Sequence, residues 1–313
     1  MRKRYISKNE IRTLLDCEAK WGFKYDDKLA GDALEPILLP ARITEGGHWD
    51  RIIKAYNHGE PYNDILTMMA MTIEDFELRL KLIALLSRYS KKYPPMHSHT
   101  VEPYYVSLYP HLDVTIQPDD AVYEWPGNEG AAKWFVEYKL RGSLTSVEYL
   151  QRDLQGMLYV YGARVNGEDI KGVIYDETLN EEPPTINYNK DGRPSKRQTC
   201  TAEEYAQACY DSGIDPDPEV VVKLETRRIH QRVMIEHFSY DLEDMERYLK
   251  SIYSHITYLE QGLLYPARVR NPIICRSCEY NSICEHPEPD LVDFTFKRKP
   301  AKRNRTDEPT RTA

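Results

Sequence analysis

The sequence predicts an α/β protein in which a central mixed sheet is flanked by helices. Residues 110–116 and 132–140 alternate apolar and polar side chains, which is the period-two pattern of a β-strand. Residues 146–165 instead repeat apolar side chains every three or four positions, which indicates a helix. Residues 170–175 read as a further strand. Because strands and helices alternate along the chain, we expect one core of three or more strands covered by helices.

Size and charge narrow the class of protein. The chain has 313 residues, is 41% hydrophobic and carries a formal net charge of -8. This length can bury a substantial core in a single elaborated domain. The negative charge weighs mildly against nonspecific DNA binding, although local basic patches and bound cations can serve an acidic protein. Neither a long apolar run nor a signal-peptide core is present, so we expect a cytoplasmic protein with no membrane partner.

Helices are predicted ahead of the sheet. The range 7–25 starts with Ser7 as a plausible N-cap and Glu10 three residues later, the pattern of a capping box. The range 64–93 has the apolar spacing of one or two amphipathic helices. We therefore expect a helical insertion at about 50–100.

The second half of the chain is predicted to be less regular. Residues 177–218 are polar and rich in proline, and we interpret them as a loop-rich insertion with one short helix. A helix over 241–261 precedes a cysteine-containing segment at 270–287. The domain is expected to span 1–296, and the basic tail at 297–313 is expected to be disordered.

The main chemical candidate is the sequence Glu137-Tyr138-Lys139. Side chains two apart on a strand point to the same side, so Glu137 and Lys139 share a face. Asp113 lies on the preceding predicted strand, and we expect the two strands to pair as antiparallel neighbours across a turn-rich loop. This loop carries Pro118, Asp119, Asp120, Pro126, Gly127 and Asn128.

Two carboxylates and a lysine at one point have a clear chemical use. Asp113 and Glu137 offer oxygen ligands for Mg²⁺ or Mn²⁺. Lys139 could orient or help deprotonate a water that attacks a phosphodiester, or stabilise the transition state. An isolated E-x-K is also typical of a surface salt bridge on a strand, so the motif alone does not decide between these interpretations.

Gln155 and Tyr159 add a second part of the pattern, since residues four apart share one helix face. With them the chain resembles the PD-(D/E)XK nuclease superfamily, in its RecB-like exonuclease branch. The signature of that branch is a His, an Asp, an E-x-K and a Q-x-x-x-Y in this order. The resemblance implies a restriction-endonuclease-like core, DNA contact by Gln155 and Tyr159, and His48 as a metal ligand beside Asp113 and Glu137.

The cysteines form the second strong signal. Cys275, Cys278 and Cys284 fall within ten residues, a density that indicates a metal site in a reducing compartment. Four thiolates suit a 4Fe-4S cluster, for which Cys17 is the candidate fourth ligand. Alternatively, His286 completes a Cys₃His zinc site without Cys17. One distant N-terminal cysteine plus a C-terminal C-x₂-C-x₅-C resembles the iron-sulfur RecB-like nucleases, including CRISPR-associated adaptation exonucleases and the AddB nuclease domain, which implies a cluster that clips the chain ends together.

The resemblance implies a function as well. We expect a Mg²⁺- or Mn²⁺-dependent exonuclease that acts on single DNA strands or DNA ends in recombination, repair or phage DNA processing. It would work in a bacterial cell or a phage-infected host, with a helicase or recombination protein as a possible partner. The alternative is a catalytically silent nucleic-acid-binding or scaffolding protein that keeps a structural metal site.

Overall fold

Three sheets make up the strand framework of the part of the chain that the structure describes. The computed structural model describes residues 4–26, 33–37, 41–123, 132–181, 186–269, 271–276, 278–284 and 288–299. The strands in these ranges are β1 (Arg4–Ser7), β2 (Ala33–Pro36), β3 (Tyr104–Tyr109), β4 (Leu112–Ile116), β5 (Asp120–Val122), β6 (Lys133–Arg141), β7 (Ile170–Leu179), β8 (His230–Glu236) and β9 (Phe296–Lys299). One sheet has the order β5-β6-β7-β8, another β1-β4-β3, and β2 pairs with β9. Strands β6 and β7 are parallel while β5 and β8 pair antiparallel with them, so the predicted mixed sheet is confirmed.

Helices cover these sheets and connect the strands. They are α1 (Lys8–Asp16), α2 (Glu18–Tyr25), α3 (Ala41–His58), α4 (Tyr62–Thr72), α5 (Phe76–Lys92), α6 (Val147–Leu150), α7 (Leu154–Val165), α8 (Ala202–Asp211), α9 (Pro218–Thr226), α10 (Ser239–Leu242), α11 (Met245–Glu260), α12 (Pro272–Arg276) and α13 (Pro289–Thr295). Within the described ranges, no helix is both long and apolar enough to cross a membrane.

Two predicted helices are interrupted, and the range 64–93 forms two helices, which is one of the two predicted possibilities. Cys17 adopts an extended conformation, with φ -168° and ψ 118°, and separates α1 from α2. The range 64–93 divides into α4 and α5, and the side chain of Asp75 caps the start of α5. In the same way, Asp153 caps α7 and separates it from α6. In these two cases an aspartate accepts a hydrogen bond from a first-turn N–H group, which favours a new helix start over a continuous helix.

Strand β6 separates two parts of the hydrophobic core. Phe135 packs into a cluster with apolar residues of α7, α11 and the β1-β4-β3 sheet. Trp134, Val136 and Tyr138 pack into a second cluster with residues of α3, α4 and α5. The alternation predicted from the sequence is therefore present, and Glu137 lies on the Phe135 side because it is two residues further along the strand.

The predicted partner of the E-x-K strand was wrong. Strand β4, which carries Asp113, pairs with β1 and β3 and not with β6. The antiparallel neighbour of β6 is the short strand β5, with Ala121 opposite Phe135. Pro118 has no N–H group to donate to a ladder, and the break between β4 and β5 falls around it. Part of the predicted loop is thus a strand, while its residues Pro126, Gly127 and Asn128 lie outside the described ranges.

The polar insertion has a small core of its own. Cys200, Tyr205, Cys209 and Val220 are buried together, where α8 and α9 meet. These two cysteines therefore serve as packing residues. The insertion starts after β7 ends at Leu179.

A buried ion pair joins β7 to β8. Arg232 donates from Nε to Asp176 Oδ2 at 2.7 Å, and the two side chains are 4% and 1% exposed. Arg232 also donates to Asn57 Oδ1 at 3.1 Å and to the hydroxyl of Tyr89, which links this pair to α3 and α5. An ion pair this deep is strongly destabilised when one partner is removed, because the other charge stays buried.

Replacement of Arg232 is therefore predicted to weaken the fold. We expect Arg232→Met to lower the free energy of unfolding by about 3–5 kcal/mol, as measured by urea denaturation. Arg247 pairs with Asp244 but is 85% exposed, so Arg247→Met should change stability by about 0.5 kcal/mol at most. Equal losses in the two variants would contradict a special role for the buried pair.

Candidate active site

Glu137 lies at the centre of β6, and hydrogen-bond donors surround its fully buried carboxylate. The Tyr159 hydroxyl donates to Oε2 at 2.6 Å, and the Gln155 amide donates to Oε1. Lys139, on the same face of the strand, forms an ion pair with Oε1. A carboxylate can be buried in ionised form only with this kind of compensation.

Helix α7 brings Gln155 and Tyr159 to this carboxylate together, because residues four apart lie on one helix face. The helix packs very closely on β7. A Cβ atom at Gly156 would lie 2.1 Å from the hydroxyl oxygen of Tyr175, so the approach depends on the absence of a side chain there. The amide of Gln155 also donates to the Tyr159 hydroxyl at 2.7 Å, which fixes the two side chains relative to each other.

Lys8 is a second ammonium group at the same carboxylate, and the sequence analysis missed it. Its Nζ lies 4.0 Å from Glu137 Oε2, donates a hydrogen bond to the Tyr159 hydroxyl and sits 4.4 Å from the centre of the Tyr159 ring. Lys8 is the first residue of α1, immediately after Ser7, whose hydroxyl accepts from the Glu10 N–H at 3.2 Å. The Ser7 cap was predictable, but the position of this helix start beside β6 was not.

The two lysines decide the ionisation of Glu137. Burial alone would favour the neutral acid, but the ammonium groups of Lys139 and Lys8 outweigh it and lower the pKa of Glu137 to about 2. Glu137 is thus an anion at neutral pH. Its negative charge and that of a second carboxylate nearby define the electrostatics of the site.

That second carboxylate belongs to Asp119, between β4 and β5. Its Oδ2 accepts from the backbone N–H of Tyr138 at 3.3 Å, and its Oδ1 lies 3.9 Å from Lys54 Nζ on α3. Lys54 is also 3.1 Å from Asp50 on the same helix. Burial and the charge of Glu137 raise the pKa of Asp119 to about 7. Two carboxylates that resist simultaneous ionisation are a setting in which a bound cation is favourable.

Comparison with known proteins places this site in a family. The sequence model of the PD-(D/E)XK nuclease superfamily matches residues 120–285, more than half of the chain. The chain belongs to this superfamily. The match includes Glu137 and Lys139 and begins directly after Asp119, and the sequence Pro118-Asp119 supplies the Pro-Asp pair that the family name spells ahead of (D/E)-x-K.

Solved structures give a more distant likeness. One is the crystal structure of a "Putative exonuclease" from Eubacterium rectale, with 13% sequence identity, a TM-score of 0.48, and coverage of 91% of this chain and 88% of that chain. None of the curated proteins matches the sequence.

Asp113, which was predicted on a strand paired with that of Glu137, lies in the β1-β4-β3 sheet, whereas Glu137 lies in the β5-β6-β7-β8 sheet, and metal ligation by Asp113 stays a prediction. It lies in β4 between Tyr5 of β1 and Ser107 of β3, and the Ser107 hydroxyl donates to its Oδ1 at 2.5 Å. Asp113 is three residues, or about 10 Å along the strand, before β4 ends at Ile116. Both aspartates were visible in the sequence, and the Pro-Asp pair was the signal that could have selected Asp119.

His48 lies on α3, the helix that also carries Asp50 and Lys54. Two residues along a helix correspond to a rotation of about 200°, so His48 points away from the face on which Asp50 lies. The described contacts connect Asp50 and Lys54, but not His48, to Asp119. Metal ligation by His48 stays a prediction.

The four cysteines of the predicted cluster line one cavity of about 510 Å³. Cys17 comes from the junction of α1 and α2, and Cys275, Cys278 and Cys284 come from the C-terminal segment. Each of the four is a free thiol. His286, the alternative zinc ligand, lies outside the described ranges. The structure thus brings both ends of the nuclease domain to a single thiol-lined space.

Neither site forms a closed cage for a single ion. Among the described residues, no group of three or more His, Cys, Asp and Glu side chains is arranged so that it could hold a metal ion. Among these residues, Asp119 and Glu137 therefore offer a pair of carboxylates and not a complete set of ligands.

One experiment distinguishes the roles of Asp119 and Asp113. We expect Asp119→Asn to lower metal-dependent cleavage of nucleic acid by about a hundredfold or more, because it removes an anionic oxygen beside Glu137. Asp113→Asn is the matched control and should retain activity within about threefold, since the Ser107 hydroxyl can still donate to the amide oxygen. Initial rates with Mn²⁺ measure both, after circular dichroism shows that both variants are folded. Loss of activity only in Asp113→Asn would reverse the assignment.

Proposed function

We propose that this PD-(D/E)XK nuclease is a metal-dependent DNA exonuclease in which Asp119, Glu137 and Lys139 form the catalytic group. The observation that carries the proposal is the pair of carboxylates beside a lysine at the junction of β5 and β6. The raised pKa of Asp119, caused by burial and by Glu137, shows how poorly the two negative charges coexist without a cation.

Mg²⁺ or Mn²⁺ fits this donor set. Mg²⁺ is commonly held by one or two carboxylates and keeps several waters or substrate oxygens in its shell. Such a site needs no third side-chain ligand. When bound, the ion would polarise the phosphate and lower the pKa of a coordinated water.

Lys139 acts as a charged group in this proposal. Burial opposes its protonation, but Glu137 and Asp119 outweigh that effect and raise its pKa. An ammonium at this position stabilises negative charge that develops on the phosphate and orients the attacking water. This favours the electrostatic role over removal of a proton from water.

Gln155 and Tyr159 hold the Glu137 carboxylate in position. Both side chains are buried, and their donors are directed at Glu137. Their contact with DNA stays a prediction, and it would require rearrangement, because the Tyr159 side chain has no exposed surface.

DNA as the substrate and an action on strand ends are supported by the order of the E-x-K and Q-x-x-x-Y motifs, which resembles the RecB-like exonucleases. A role in recombination, repair or phage DNA processing, a cytoplasmic location and a helicase partner rest on the same resemblance.

The cysteine-lined cavity is proposed to hold a 4Fe-4S cluster. A single zinc ion needs its sulfur ligands about 2.3 Å from one point, whereas a multi-iron cluster holds four thiolates further apart. The convergence of Cys17 with the three C-terminal thiols in one cavity supports the larger group. Lys20 and Arg268 also line the cavity, where positive charge would offset the thiolates. The cluster would join the two ends of the domain.

The function is tested by an assay on end-labelled DNA. Wild type with Mg²⁺ or Mn²⁺ should release short products from single strands, while a covalently closed circular strand should stay intact. Chelation of the metal and Glu137→Gln should each abolish the products. Binding of DNA without cleavage under any of these metals would instead identify a silent nucleic-acid-binding protein, and cutting of the circle would identify an endonuclease.

The cluster is tested with two cysteine variants. Cys17→Ser should lower the iron and sulfide content of anaerobically purified protein and its melting temperature, because a ligand held only by the folded state stabilises it. Cys209→Ser is the matched control, since Cys209 is also buried but packs in the insertion and not at the cavity. It should keep the full iron content. A wild type with one zinc and no iron, unchanged by Cys17→Ser, would contradict the cluster.

A further inference from the structure

Glu137 has more positive charge around it than one carboxylate requires. Lys139 already forms an ion pair with Oε1. Lys8 approaches from α1 on the Oε2 side, and at 4.0 Å its Nζ is too far for a hydrogen bond to that oxygen. Oε2 instead accepts a hydrogen bond from the Tyr159 hydroxyl at 2.6 Å. Lys8 is thus held beside the carboxylate without being its direct hydrogen-bond partner.

Ammonium groups compensate both carboxylates before any ion or substrate binds. Lys8 and Lys139 pair with Glu137, and Lys54 Nζ lies 3.9 Å from Asp119 Oδ1. A divalent cation at Asp119 and Glu137 would neutralise the negative charges that these lysines compensate. The lysines would then be stabilised by an anion of the substrate.

Lys8 is placed to meet such an anion. An ammonium group has three donors, and one of them goes to the Tyr159 hydroxyl. The Lys8 side chain is 19% exposed, in contrast to the fully buried Tyr159 and Glu137.

We propose that Lys8 binds a phosphate oxygen of the nucleic acid substrate, as a second substrate-binding lysine opposite Lys139. This inference rests on the proposed nuclease function. A cation that occupied the carboxylates would compete with both lysines for Glu137, and Lys8 would turn its open donors to the phosphate. The two ammonium groups would then contact the substrate from different chain segments, α1 and β6.

A purely structural Lys8 would only neutralise Glu137, and binding measurements separate the two roles. The probe is a fluorescent single-stranded 20-mer with Ca²⁺ in place of Mn²⁺, titrated at several salt concentrations. Lys8→Met should weaken binding by about tenfold. It should also make the negative slope of log K against log salt shallower by about 0.7, the value for one phosphate contact on a single strand. Lys8→Arg should restore most of the slope, because it keeps a charged donor.

The matched control is Lys250→Met, since Lys250 pairs with Glu246 on the exposed side of α11. It should leave both the affinity and the slope unchanged. The Mn²⁺ affinity and the unfolding midpoint of Lys8→Met are measured in parallel. The affinity should be at least about half of the wild-type affinity, and the midpoint should lie within a few degrees of the wild-type midpoint.

Wild-type affinity and slope in Lys8→Met would overturn the proposal for Lys8, even if the enzyme cleaves DNA as proposed. Loss of Mn²⁺ binding in Lys8→Met, with Lys8→Arg failing to restore the slope, would assign it a structural role and overturn the proposal as well. A wild type that neither binds the 20-mer nor cleaves DNA would show that the proposed function itself is wrong.

Discussion

The burial of the Glu137 carboxylate is the constraint on which the rest of the site depends. A carboxylate without exposed surface costs several kcal/mol to desolvate, so it must be met by charges and donors of well-defined position. Here they come from three chain segments: Lys8 at the start of α1, Lys139 on β6, and the Gln155–Tyr159 pair on α7. The Glu137 carboxylate therefore fixes both α1 and α7 relative to β6.

This constraint also connects the active site to the cysteine cavity. Helix α1 begins with Lys8 at the carboxylate and ends at Asp16, next to Cys17 in the cavity wall. Its 9 residues span about 14 Å. A group that binds Cys17 together with the C-terminal thiols would hold one end of α1, and so would keep Lys8 in place at the other end. Such a group in the cavity would therefore stabilise the position of Lys8 at the site.

The sequence predicted the parts of the site that depend on local spacing. The alternation along β6 placed Glu137 and Lys139 on one face, and the four-residue spacing on α7 placed Gln155 beside Tyr159. It did not predict which aspartate joins them, because that depends on strand pairing: β4 pairs with β1 and β3, and only the short β5 reaches β6. Lys8 was missed for the same reason, since its position follows from the parallel pairing of β1 with β4, more than 100 residues apart.

The central claim is that Asp119 and Glu137 share one divalent cation. Calorimetric titration of Mn²⁺ between about pH 6 and pH 8, in buffers of different ionisation enthalpy, tests it most directly. The pKa of Asp119 is raised to about 7, so below that pH a proton must leave before the ion binds. We expect release of up to one proton per Mn²⁺ near pH 6, little release near pH 8, and an affinity that rises by up to tenfold per pH unit until about pH 7. Asp119→Asn should lose both the affinity and the proton release, and a variant that binds Mn²⁺ like the wild type would contradict the account.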